Sequence, residues 1–454
     1  MENEKKRQEA SMHYSIIDGS LWFVMFQAGI SFLTPFALVI NAPLSIISAL
    51  NAFPPLLDGI SQKIGSYFPD YRIERKKIII YGAIAQAFMW FLLALLALHF
   101  QLLGPQFANI GLVIIATLIF FFGGIVNPSW IALMGDIVPE HKRASWFGYR
   151  YRITSFVGLI TLLLAGWFLN WMKPSILVGF AILFAISFIA RLGSAYFLAL
   201  HWDPNQEPKK EREPSNEAAN YSLLLFLLFF TINMSVNFLP VYLLSMLKFD
   251  YVSFSSALIA STLFFTIAAP HWGRLIEKYG TKKVLVASVA LNSLSSFIIL
   301  LVHDPISAIA AYSFAGILWA GIVGSSFNYL YDITQPDERI KASGHAYLLS
   351  GAGTFFGTFI GGFTLSYFGS QSIFSFYVLF LLTALLRIIS ALIINAYTRE
   401  VKNPPSKRST IELIICILTI YPFKGFTNEI REHTTNFISK IRKTLIKTKR
   451  LSER

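Results

Sequence analysis

Twelve stretches of this chain are each long enough, and free enough of charge, to cross the hydrocarbon of a lipid bilayer as a single helix. They fall at about 18–40, 44–68, 77–100, 107–134, 147–171 and 175–200, and again at 221–247, 252–272, 284–302, 306–331, 343–368 and 373–397. A helical span takes roughly 20 apolar residues. A soluble core can bury a few runs of that length, but not a dozen of them. The composition agrees, at 55% hydrophobic and 14% charged residues over 454, and the chain is expected to be an all-α integral membrane protein.

The twelve runs fall into two related sets. The segment 135–166, GDIVPEHKRASWFGYRYRITSFVGLITLLLAG, returns 196 positions later as YDITQPDERIKASGHAYLLSGAGTFFGTFIGG. Asp136 then corresponds to Asp332, Arg143 to Arg339, Ser145 to Lys341, Gly148 to Gly344 and Gly166 to Gly362, and the same offset carries Arg191 onto Arg387. A duplication of this length implies two pseudo-symmetric six-helix bundles facing each other.

Charge placement supplies the orientation. The formal net charge of +13 would raise the question of nucleic acid in a soluble domain, but here the basic residues sit in alternate connections. Lys63, Arg72, Arg75, Lys76 and Lys77 lie in one such connection. His141, Lys142, Arg143, Arg150 and Arg152 lie in the next, and Arg274, Lys278, Lys282, Lys283, Arg339 and Lys341 in later ones. The connections on the other side hold only Lys173 and Lys248. This positive-inside pattern predicts that both termini are cytoplasmic, in the plasma membrane, with lipid rather than nucleic acid as the partner of the basic face. The single cysteine, Cys416, permits no intrachain disulfide.

The expected organisation is a cytoplasmic tail at 1–17, a first bundle at 18–200, a Pro- and charge-rich cytoplasmic linker at 201–220, a second bundle at 221–397 and a basic tail at 398–454. The tail's apolar run from Ile411 to Phe423 is too short to cross comfortably. It is expected to dock or lie in the interface, ahead of a basic amphipathic helix carrying Ile430, Phe437, Ile438, Ile441 and Leu445.

The connection from Gly273 to Lys283, GRLIEKYGTKK, resembles the signature loop of the major facilitator superfamily of secondary transporters. It matches at Gly273, Leu275, Glu277, Lys278, Gly280, Lys282 and Lys283. The corresponding loop of the first half departs from the pattern, with Lys63 where an acid would stand, and retains only the basic end at Arg75, Lys76 and Lys77. The resemblance implies twelve spans in two bundles around a central path, and movement of a small organic solute by alternating access.

It also implies site residues. Asp136, Arg143, Asp332 and Arg339, together with Gly273, Glu277, Gly280, Lys282 and Lys283, are expected to form a cytoplasmic gate that holds helix ends together when that side is shut. Related transporters line their cavity mainly with the first, fourth, seventh and tenth spans. The candidates there are Gln27, Asn127, Asn233, Asn237, Trp319 and Asn328, whose uncharged groups suit a neutral or amphipathic solute. Ionic coupling needs a carboxylate in the cavity. None stands out at mid-depth, which leaves Asp18 at the mouth of the first span as the weak candidate and the coupling ion open. Arg191 and Arg387 are expected to snorkel toward the cytoplasmic face in a structural role. The GxxxGxxxG stripe of Gly353, Gly357 and Gly361 should allow close helix packing. No constellation of an enzyme, metal or cofactor site is present in the sequence, and a monomer is expected. Two other readings share the scaffold: a transporter-like sensor using the basic tail as its output, and a lipid flippase.

Overall fold

The computed structural model describes residues 2–68, 74–139, 143–204, 212–369, 372–401, 404–405 and 409–419. Twelve of its helices are long and apolar enough to span a membrane: α1 (Glu4–Val39), α2 (Leu44–Gly65), α3 (Arg75–Leu98), α4 (Phe100–Ile137), α5 (Trp146–Trp171), α6 (Lys173–Ala199), α7 (Asn216–Met246), α8 (Tyr251–Tyr279), α9 (Thr281–Leu301), α10 (Pro305–Ile333), α11 (Arg339–Tyr367) and α12 (Ile373–Tyr397). A thirteenth, α13 (Thr410–Thr419), is short.

Local signals set several of the ends. Ser215 caps α7 by accepting from the Ala218 amide, and Asp250 caps α8 by accepting from Ser253 N at 2.8 Å. A reciprocal capping box between Asp304 and Ser307, with Pro305 in the first turn, starts α10. Gly280 stops α8 at φ +95°, a backbone conformation that costs a residue with a Cβ.

The neighbours repeat by halves. In the first bundle α1 packs on α5 and α6, α2 on α4, and α3 on α4 and α6; in the second α7 packs on α11 and α12, α8 on α10, and α9 on α10 and α12. Two long seams join the halves, α2 with α11 and α5 with α8, each the symmetry image of the other, and the ends of α1 and α7 at Leu33–Val39 and Leu239–Val241 also meet. Large apolar side chains such as Leu102, Phe107, Phe156, Ile189 and Phe363 point outward, as a surface solvated by lipid allows.

The core differs between the two ends of the molecule. The end bearing the N-terminus, the linker and the basic connections is called the basic end here; the opposite one is the far end. At the far end one continuous apolar cluster runs through both halves, with Phe32, Phe36, Phe180 and Phe184 of the first packed among Phe238, Tyr242, Phe254 and Phe376 of the second. The rings of Phe32 and Phe254, and of Phe180 and Tyr251, meet across the divide at 6.3 and 6.0 Å. Toward the basic end the buried apolar residues form separate clusters, each confined to one half.

The α2–α11 seam is the exception, because small residues hold it close along its whole length. Ser48 lies beside Gly362, Pro55 beside Gly351, Gly59 beside Tyr347 and Leu348, and Ser66 beside Gly344. On its other face α11 presents Gly353, Gly357 and Gly361 to the α7 backbone carbonyls of Phe226, Phe230 and Met234. The short α13 docks on α9, burying Leu413 in a cluster with Trp272, Leu275 and Tyr279. Ile430, Phe437, Ile438, Ile441 and Leu445 lie outside the described residues.

Candidate functional site

A cavity of about 420 Å³ lies within the first bundle and reaches the α2–α11 seam. Helix α1 contributes Asp18, Trp22 and Phe26, α2 Asp58 and Gln62, α4 Asn127 and Trp130, α5 Arg150, α6 Arg191, and α11 Tyr347. A second void of about 240 Å³ lies between α2 and the second bundle, with an apolar lining that includes Leu225, Phe229, Ile322, Phe327 and Leu330. Asp58 and Tyr347 belong to both walls, so the two spaces meet there.

An isolated charge at this depth would be costly, and the side chains of the first bundle are arranged to offset it. Asp18 is buried, with one carboxylate oxygen 3.8 Å from Arg150 Nη2. Arg150 donates from Nε to the Ser15 carbonyl at 2.9 Å and hydroxyl at 3.0 Å, and its guanidinium lies 4.7 Å from the Trp130 ring centroid. Arg191 also acts on Asp18 through its charge. It is buried, donating to Gln86 Oε1 at 2.6 Å and to Ser194 Oγ at 2.9 Å, while Gln86 in turn donates to the Ile119 carbonyl. Asp58 accepts from Gln62 Nε2 at 2.7 Å, and Gln62 accepts from Asn127 Nδ2 at 3.3 Å. Its other oxygen lies against Gly124 of α4, where a Cβ would come within 2.6 Å.

Of the six amide and aromatic candidates, Asn127 is on the cavity wall. Asn233 spans from α7 to α11, donating to Thr354 Oγ1 at 3.1 Å and to its own helix at Phe229 O. Asn237 does the same with Thr358 Oγ1 at 2.6 Å and also reaches the Asn51 carbonyl across the halves at 3.4 Å. Gln27 is buried and receives a bond from Ser31. Trp319 packs on an apolar cluster of the second half, its ring 6.2 Å from that of Phe229. Asn328 is exposed and bonds to Gly324 O of its own helix.

Two expectations need correction. The cavity holds a second carboxylate besides Asp18: Asp58, about two turns in from the basic end of α2. The arginines of α6 and α12 do not snorkel. Arg191 and Arg387 are both buried, and Arg387 donates to the Asn292 and Ile232 carbonyls and to Ser295 and Ser235. In the sequence Asp58 reads as part of the connection that ends in Arg75, Lys76 and Lys77; an acid inside an apolar run is the signal that marks it out. Arg150 reads in the sequence as one more basic residue of a connection, and only its contacts with Asp18 and Trp130 set it apart.

At the basic end Asp136, Asp332 and Arg339 each make a contact within their own half. Asp136 accepts from Arg75 Nη1 at 2.5 Å, and Arg75 also pairs with Asp203 at 2.8 Å. Asp332 accepts from Thr281 Oγ1 at 2.7 Å, at the start of α9. The backbone amides of Lys282 and Lys283 face Glu400 at 3.4 Å, and burial beneath that turn pushes the Glu400 carboxyl above the usual range. Gly280 is what leaves room for Glu400 there. Glu277 is exposed, a Cβ on Gly273 would meet nothing, and Arg339 lies 5.3 Å from the Tyr331 ring centroid. The side chain of Arg143 lies outside the described residues. Between the halves, Glu213 of the linker accepts from Lys341 Nζ of α11 and from the Tyr67 hydroxyl, both at 3.1 Å, and the Lys341 bond holds its carboxyl below the usual range.

No curated protein sequence matches this chain. Solved structures do. A POT family peptide transporter in an auto-inhibited form aligns with a TM-score of 0.68 at 12% identity, covering 88% of this chain and 98% of that one. A bacterial homologue of the iron transporter ferroportin, in an inward-facing state, aligns at 0.66 and 13%, covering 85% and 98%. The nucleoside transporter NupG aligns at 0.61 and 14%, again covering 85% and 98%. The sequence profile of the Major Facilitator Superfamily matches residues 19–224 and 221–449, one match to each half of the duplication. A twelve-helix fold shared along its length with transporters, and a profile that runs through both halves, make this chain a member of the major facilitator superfamily, a transporter and not an enzyme.

Proposed function

We propose that the chain is a secondary transporter that moves a small amphipathic organic solute by alternating access. The observation that carries this reading is the polar cavity of the first bundle, placed where the halves share one apolar core at the far end and keep separate cores toward the basic end. A cavity sealed at one end by apolar contacts between two rigid bodies can be exposed to the other side when one body tilts on the other. The basic end is taken as cytoplasmic and the membrane as the plasma membrane, on the alternation of charge. In this orientation the far end is shut and the cavity faces inward. The bundles are taken as 18–200 and 221–397, with the linker at 201–220 between them.

In the opposite state the basic ends come together. There Asp136, Arg143, Asp332 and Arg339 and the loop Gly273–Lys283 are the proposed gate, trading contacts within a half for contacts between halves. Each exchange involves charged groups near water and is worth about 1 kcal/mol or less, small enough for a solute to reverse. Asp18, buried beside Arg150, is the proposed coupling group. The solved neighbours are a peptide transporter, a nucleoside transporter and a homologue of an iron transporter, so the solute has to come from this cavity's own chemistry.

The test is solute counterflow in proteoliposomes loaded from a broad panel of metabolites and drugs. Acceleration of labelled solute entry by unlabelled solute inside is the expected result. Its absence across the panel, with correctly folded and inserted protein, removes the proposal.

A further inference from the structure

The two acids of the cavity are not equivalent. Asp18 is charge-compensated, with Arg150 at 3.8 Å and Arg191 acting on it from α6. Asp58 has no such partner. Its hydrogen-bond donor among the described residues is the neutral amide of Gln62, and no arginine or lysine of the described residues forms an ion pair with it. A carboxylate in this setting favours a positive charge brought by whatever fills the space in front of it.

The neighbouring lining narrows what that charge belongs to. Asp58 is the one acid on the wall of the smaller void, which is otherwise built from apolar and small side chains. A hard metal ion is best held by several carboxylate or carbonyl oxygens, and Asp58 is the one carboxylate here, the other side-chain oxygens of the lining being the hydroxyls of Ser326, Ser343, Ser350, Thr354 and Tyr347. Two aromatic rings share this void with the carboxylate: Phe327 and Tyr347 line it with their centroids 6.0 Å apart, and aromatic faces suit an ammonium group.

We infer that the solute is an organic cation, a protonated amine whose charged nitrogen docks on Asp58 beside Tyr347 and whose apolar body fills the void between α2 and the second bundle. This rests on the transporter reading and adds the substrate class to it. A cation bound at Asp58 touches α2 and α11 together, the pair that joins the halves, so its binding energy falls on the seam about which they move.

The experiment uses matched probes on the purified full chain. Phenethyl, cyclohexyl and hexyl skeletons are each offered as the primary amine, the trimethylammonium, the alcohol and the carboxylate, and the thermal midpoint is followed against concentration. Amines and trimethylammonium probes are expected to raise the midpoint, while alcohols and carboxylates leave it unmoved. The fixed charge of the trimethylammonium probes shows that cation binding, not proton exchange with the probe, is being read. Asp58→Asn should weaken the apparent affinity for the cations at least about ten-fold, and Asp58→Glu should retain part of it. The midpoint and gel-filtration profile of each variant without probe confirm that it is folded.

The inference is overturned if no cationic probe shifts the midpoint, if the alcohols shift it as far as the amines, or if Asp58→Asn binds the cations as wild type does. Counterflow separates this from the transporter reading. Transport of neutral or anionic solutes alone removes the organic cation and keeps the transporter, whereas cation binding with no counterflow of any solute removes the transporter and keeps the site.

Discussion

Arg191 and Arg387 occupy the same place in the two halves, yet their surroundings give them different work. Arg191 lines the cavity and acts on Asp18, whereas Arg387 is enclosed by α7, α9 and α12 and spends its donors on two carbonyls and two serines. Arg387→Gln should therefore cost stability, about 2–3 kcal/mol for bonds from a charged donor, with transport per folded molecule little changed. Arg191→Gln should lower uptake by about ten-fold or more, since about 1.4 kcal/mol suffices, and cost less stability. Midpoints and counterflow rates measured on both variants check the split; equal effects on transport would put the two arginines back in one role. The duplication made the pair visible in the sequence, but not this difference, because burial and partners are set by neighbouring helices. Asp58 shows the same limit from the other side: its position was readable, and its exposure to both voids was not.

His201, at the exit of α6, supplies a pH dependence. Nδ1 donates to the Phe197 carbonyl at 2.9 Å, so the proton sits on that nitrogen, and Nε2 is buried without a hydrogen-bond partner among the described residues. Burial pushes the pKa down to about 4, and the charges of Arg150 and Lys76 add to this. Below about pH 6.5 the unfolded chain takes up a proton that the folded chain refuses, so the stability contributed is full above that pH and is lost as pH falls toward 4. At pH 5 the loss is about 2 kcal/mol. Thermal midpoints of wild type and His201→Gln between pH 7 and 5 should diverge, the variant falling less; parallel curves would remove histidine from the account.

Among the elements, α11 has two small-residue faces with different partners. Gly353, Gly357 and Gly361 meet the backbone of α7 within the second bundle, while Gly344, Gly351 and Gly362 meet α2 across the halves. A methyl group at Gly357 would overlap the Phe230 carbonyl, and backbone cannot swing aside. Gly357→Ala should therefore cost about 1–3 kcal/mol and leave the transport of surviving protein near normal. Gly351→Ala meets the Pro55 carbonyl of the other half, which can give way by a small rigid shift. It should cost less stability and lower turnover more, which midpoint and counterflow measurements would separate. The glycine stripe was legible in the sequence as a close-packing face. Which helix each face meets was not, because spacing along one helix carries no information about its neighbour. The signature loop was legible as a motif, and its glycine now has a local reason: φ +95° at Gly280, with Glu400 seated against it.

At the scale of the whole molecule, the duplication predicted the architecture, because two copies of one packing scheme related by symmetry place α2 on α11 and α5 on α8 as matching pairs. What the sequence could not carry is which end of the molecule is shut, since the two states of the proposed cycle would use the same residues. The asymmetry lies in contacts: the apolar core is continuous between halves at the far end, and Gly166 of α5 is pressed there on Tyr251 and Ser255 of α8. If that end must open for turnover, a covalent bond across it should stop transport. A Cβ at Gly166 would lie 2.7 Å from Ser255 Cβ, so separation by about an ångström reaches the spacing of a disulfide. In a Cys416→Ser background, Gly166→Cys with Ser255→Cys should cross-link under mild oxidation, halt counterflow, and recover it on reduction. Each single substitution controls for the added bulk. Full transport by the oxidised, cross-linked protein would mean that the far end does not move, and alternating access about this interface would have to be abandoned.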